Sequence, residues 1–187
     1  MTPAILQFRP LEESHAAEML SWRYAPPYDI YNAAEPVTET AIHALLRPEL
    51  HYLAVMDERD EMIAFRCFGP DAQVPGGDYS QEALDLGGGL RSDLTGKGLG
   101  RHVIAAAMSY AFEQFHPRLF RITVASFNQR AKKVCEQLGF KVITQFIRPS
   151  DGLSFQIIMQ KARKPALSIP MKVTELNPAL DLRDKTK

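Results

Sequence analysis

The stretch "EALDLGGGLRSDLTGKGLGRHVIAAAMSYAFEQF", Glu82 to Phe115, decides the fold. It opens as a strand that ends in Gly87, Gly88, Gly89 and Leu90. It then places Gly96, Gly98 and Gly100 within five residues, just where a helical pattern begins. From there Leu99, Val103, Ala107, Tyr110, Ala111 and Phe115 recur at helical spacing, so the reading is strand, glycine turn, helix. Glycines let successive backbone N–H groups converge on an anion, and a helix start adds its positive dipole end. A Walker A loop is excluded, because Gly98 follows Lys97 where Ser or Thr is required and Arg91 stands at the first glycine position. A dinucleotide fingerprint started at Gly96 meets Arg101 instead of its third glycine. A pyrophosphate is the natural occupant, and a tight turn without a ligand is the alternative.

Downstream, "LFRITVAS" reads as a strand, and "SFNQRAKKVCEQLGF" as a helix with Ser126 and Gln129 spaced as a capping box and Gly139 as its stop. "FKVITQFIR" and "LSFQIIMQK", split by "PSDG", form a closing hairpin. Upstream, "AILQFRPL" is a strand, "EESHAAEMLSWR" and "VTETAIHALLR" are helices, and "LHYLAVMD" and "MIAFRCFG" are a hairpin joined by "ERDE". Between the two helices lies a proline-punctuated aromatic loop, "YAPPYDIYNAAEP". This order predicts one α/β (α+β) domain over residues 1–161, a mixed sheet flanked by helices. A tail at 162–187 is broken by Pro165, Pro170 and Pro178.

Composition narrows the function classes. At 187 residues with 45% hydrophobic content the chain supports one core. Its 22 basic and 22 acidic residues cancel, which argues against a nucleic-acid partner or a membrane surface, and no apolar run is long enough to span a bilayer. With no signal-peptide pattern at the start, the expectation is a cytoplasmic protein. Cys67 and Cys135 show no metal-ligand spacing, and neither do the five histidines, so no metal is expected.

"GLRSDLTGKGLGRHVI", followed by "TVASFNQRAKKVCEQLGF", resembles the core of the GNAT superfamily of N-acetyltransferases. That family carries Arg/Gln-x-x-Gly-x-Gly/Ala at a helix start and, downstream, Asn-x-x-Ala with a Gly-Phe helix end. The first motif falls on Thr95, Gly96, Lys97, Gly98, Leu99 and Gly100, the second on Asn128, Ala131, Gly139 and Phe140. The resemblance implies a mostly antiparallel sheet with a splayed strand pair. The pantetheine arm of acetyl-CoA would pair with Gly88, Gly89 and Leu90, and the amides from Thr95 to Gly100 would hold the pyrophosphate. Arg101, Lys97 and Asn128 belong to the same cofactor side. Thr95 departs from the usual Arg or Gln.

The implied chemistry is attack of an amine on a thioester, which requires a base for the amine and a proton for the departing thiolate. Asp85 is a base candidate if its strand face lines the cleft, and otherwise an ordinary strand charge. The family's acid, a tyrosine, is replaced by Cys135, whose helical spacing from Ala131 and Leu138 also suits a small core residue. Tyr79 is the other proton donor to consider. The acceptor, a small-molecule amine or a peptide N-terminus, is expected against Tyr28, Asp29, Tyr31 and Asn32. A module that binds acetyl-CoA without turnover is the alternative, and self-association into a homodimer is left open.

Overall fold

The computed structural model describes residues 5–166 and 170–174. Eight strands form one sheet in the order β6-β7-β5-β4-β3-β2-β1-β8. They are β1 (Leu6–Pro10), β2 (Leu53–Met56), β3 (Met62–Phe68), β4 (Leu84–Leu90), β5 (Leu119–Ala125), β6 (Lys141–Ile147), β7 (Ser154–Lys161) and β8 (Met171–Val173). The helices are α1 (Glu13–Ser21), α2 (Glu39–Leu45), α3 (Leu99–Phe115) and α4 (Gln129–Gln137). Neighbours pair antiparallel except β4 with β5 and β1 with β8. No described helix is long and apolar enough to cross a membrane.

Helix α3 has the predicted bounds, and seven of its residues between Val103 and Ala111 are buried, most of the way round its middle turns. Tyr110 of α3 stacks on Phe8 with ring centroids 5.8 Å apart and leans on Phe68 at 5.5 Å, which ties the helix to β1 and β3. A smaller cluster of Trp22, Ala54, Met56 and Met62 seats the α1 side of the molecule, with Phe65 packed against it.

One expectation changes. Helix α4 is capped by Asn128, whose side-chain oxygen accepts from the amide of Ala131 at 3.1 Å, whereas the Ser126 hydroxyl lies 2.7 Å from the Ser154 hydroxyl. Asn wins because the chain turns at Ser126 and Phe127, so only residue 128 stands one step before the helix. The tail also contributes a strand: Met171–Val173 pairs parallel with β1, and Met171 packs on the main core. Residues 167–169 and 175–187 of the predicted tail lie outside the described residues.

The feature that positions the site is the fork between β4 and β5. They pair at only two rungs, Leu84 with Phe120 and Asp85 with Arg121. Beyond Asp85, β4 continues antiparallel to β3 as far as Leu90, and its other edge has no strand partner among the described residues.

Candidate active site

At the last rung of the fork the paired residues also join through their side chains. Arg121 donates through Nε to Asp85 Oδ1 at 2.6 Å and through Nη2 to Oδ2 at 2.8 Å, and both residues are buried. Gln73 Nε2 donates to the same carboxylate at 2.8 Å. Both carboxylate oxygens are thus committed, and Asp85 fastens the fork instead of standing as an available base. Tyr79 is committed too. Its hydroxyl accepts from the Val74 amide at 2.8 Å, lies 3.1 Å from the Val74 carbonyl oxygen and 3.0 Å from Thr123 Oγ1, and its ring carries the Arg121 guanidinium at 4.8 Å.

Above the clasp the free edge of β4 is almost bare. Gly88 sits at φ +143°, and a Cβ there would collide with the carbonyl oxygen of Phe65 on β3, so no other residue fits. A Cβ on Gly89 would come within 2.7 Å of the Phe65 ring. The Leu90 carbonyl already accepts from the Tyr24 hydroxyl at 2.9 Å. Sequence reasoning did not assign that contact to Tyr24; burial of the ring pushes its phenol up to about 12, so it stays a donor at neutral pH.

The strand leads through a short helical turn, Ser92–Leu94, into the glycine loop. Within that loop the Leu94 and Thr95 amides donate to the Arg91 and Ser92 carbonyls. The amides of Gly96, Lys97 and Gly98 have no backbone acceptor among the described residues, and Gly98, the residue before α3, provides no side-chain cap. With the first amides of α3, from Leu99 on, they form a row of unsatisfied donors at the positive end of a 17-residue helix. Gly98 has φ +83° and open space around it, so glycine is required by the backbone angle and not by crowding. Gly100 is different: it is helical, and its nearest neighbour, Val134, is 3.9 Å from a would-be Cβ. Lys97 and Arg101 are exposed beside the row. Arg130, which sequence reasoning passed over, reaches Thr95 Oγ1 at 3.4 Å and lies over the Tyr28 ring at 4.6 Å. A guanidinium therefore stands next to the position where the family motif has its Arg or Gln.

The aromatic loop spans the far side of the fork. Tyr24 touches the end of β4, the Tyr28 ring meets Phe127 at 5.7 Å, and the Tyr31 hydroxyl accepts from Asn128 Nδ2 at 3.2 Å. Tyr31 and Asp29 are exposed. Asn32 is turned inward, clasping Tyr24 through its amide at 2.8 Å and its carbonyl at 3.2 Å, so its side chain is occupied in holding the loop. Cys135 points into the core at 1% exposure, and burial pushes its thiol up to about 12. A group so reluctant to ionise, with no exposed surface, behaves as core filling. A surface hollow of about 390 Å³ lies among Arg9, His15, Glu18, Asp60 and Arg91, with neither Asp85, Tyr79 nor the glycine loop in its lining.

A forked sheet, a strand edge left open and a donor-lined turn into the adjoining helix together form a cleft suited to an extended anionic ligand. Residues 6–141 match the acetyltransferase (GNAT) domain, and the chain belongs to that family, whose enzymes use acetyl-CoA as co-substrate. Solved structures agree on the fold. A Vibrio cholerae spermidine N-acetyltransferase in complex with CoA and spermine is 18% identical, with a TM-score of 0.66 over 85% of this chain and 96% of that one. A GNAT-family acetyltransferase from Streptococcus pneumoniae is 15% identical, with a TM-score of 0.60 over 84% and 99%. A Salmonella typhimurium protein solved with acetyl-CoA is 16% identical, with a TM-score of 0.60 over 86% and 96%. No curated protein matches the sequence.

Proposed function

We propose that the protein moves an acetyl group from acetyl-CoA to a primary amine of a small molecule or a peptide N-terminus. The observation that carries this is the conjunction of the open β4 edge above Asp85 with the unsatisfied amides of Gly96, Lys97 and Gly98. The edge offers backbone partners to the pantetheine amides, and the loop offers donors to the pyrophosphate. A backbone N–H near Gly88 and Gly89 serves to polarise the thioester carbonyl. The acceptor enters from the side walled by Tyr28, Asp29 and Tyr31, where flat rings and one exposed carboxylate suit a cationic amine. The loop carries a single acidic residue between Tyr24 and Ala34, which favours a monoamine or a peptide end over a long polycation.

The test combines binding with turnover. CoA should bind the wild-type protein in calorimetry, and a folded Gly98→Val variant should bind at least tenfold more weakly, because valine is strained at a positive φ. A thiol-release assay over a panel of amines and peptides should show acceptor-dependent CoA formation. Saturable CoA binding with no acceptor-dependent thiol would identify a binding module without turnover.

A further inference from the structure

Arg66 of β3 is buried at 5% exposure, and its Nε has no hydrogen-bond partner. Among the described residues it forms no ion pair, in contrast to Arg121 two strands away, which is fully matched by Asp85. Its direction in the sheet is informative. Arg66 is the cross-strand partner of Gly88, and a Cβ on Gly88 would lie 2.8 Å from Arg66 Nη1 and 3.0 Å from Cδ. The side chain therefore runs from β3 over the bare backbone of β4, toward the fork. Gly88 is also the stretch of β4 whose backbone is read above as polarising the thioester carbonyl, so the guanidinium lies beside the reacting group of the proposed co-substrate. An uncompensated guanidinium in a dry site is costly unless something negative meets it.

We propose that Arg66 receives the departing thiolate of CoA, supplying by charge what a proton donor at position 135 would otherwise supply. This rests on the acetyl-CoA reading above. In the step, the acceptor nitrogen bonds to the thioester carbon, the carbon–sulfur bond breaks, and the sulfur leaves with the electron pair as a thiolate. The proton lost by the nitrogen goes to solvent. A fixed positive charge facing the sulfur is aimed at charge that develops only as the bond breaks, which lowers the barrier without a proton transfer at sulfur. Glycine at position 88 is part of the device, because a side chain there would occupy the path of the guanidinium.

The test reads the thiol directly. CoA is bound to the intact protein and titrated by ultraviolet thiolate absorbance, with the unliganded protein as blank. The protein's own thiols stay silent through the window because burial raises Cys67 to about 11 and Cys135 to about 12. Bound CoA should ionise at least one pH unit below free CoA, a tenfold change in acid constant. Arg66→Met, which keeps the apolar stem, should abolish that shift, and Arg66→Lys should retain part of it. Bound CoA ionising in the free range in the wild-type protein overturns the proposal by itself, so the result does not depend on whether Arg66→Met folds. Absence of CoA binding would instead overturn the cofactor reading, and this inference with it.

Discussion

At the scale of single residues, the site is built by what side chains are prevented from doing. Asp85, Tyr79 and Cys135 are the residues whose chemistry draws attention in the sequence, and each is fully engaged in holding structure. The sequence could not disclose this, since an aspartate on a strand looks the same whether or not an arginine 36 residues later lies beside it. Cys135 gives the sharpest expectation. Its side chain is buried in the core and its thiol, pushed up to about 12, does not give up its proton in the working pH range, so Cys135→Ala should leave turnover and its pH profile unchanged. The variant should lose about 1 kcal/mol of stability from the vacated core space, seen as a lower urea midpoint. A large loss of turnover at unchanged acetyl-CoA affinity would return the thiol to the reaction.

At the scale of elements, the fork between β4 and β5 governs the site, and the Asp85–Arg121 pair governs the fork. Parallel neighbours separate here after two rungs, and a bidentate buried pair sits on the second. Removing one partner leaves the other charge stranded, so Asp85→Asn should cost roughly 3–5 kcal/mol in urea unfolding. Removing both, in Asp85→Asn with Arg121→Met, should restore much of that loss, a coupling that a double-mutant cycle reads directly. Equal, additive losses would show that the two residues act separately. The adjoining elements were legible beforehand for a definite reason. Helix α3 has a long apolar periodicity and a glycine start, so its bounds follow from local pattern. The cap of α4 depends on where the preceding turn ends, which Ser126, Asn128 and Gln129 leave open in sequence.

At the scale of the whole molecule, labour is divided between the halves of the chain. The second half supplies the fork, the glycine loop and α4, and the first half lays the aromatic loop across the far side through Tyr24, Tyr28 and Tyr31. Asp29→Asn and Tyr31→Ala should therefore raise the KM for the acceptor, by up to about fivefold for the exposed carboxylate, while leaving acetyl-CoA affinity nearly intact. If they weaken CoA binding and leave acceptor kinetics alone, the wall of the acceptor side lies elsewhere. Asn32 should not behave as a specificity residue, since its side chain clasps the Tyr24 backbone.

The sequence alone determined the order of strands and helices as far as β7, the glycine loop and the family resemblance, because each rests on local periodicity, turn chemistry or a short motif. Tertiary structure decided everything that requires two distant segments to meet. It brought Arg121 to Asp85, Tyr24 to Leu90, Met171–Val173 to β1 and Arg66 over Gly88. Sheet register sets these meetings, and register is fixed by the burial of whole faces, a property no single segment carries.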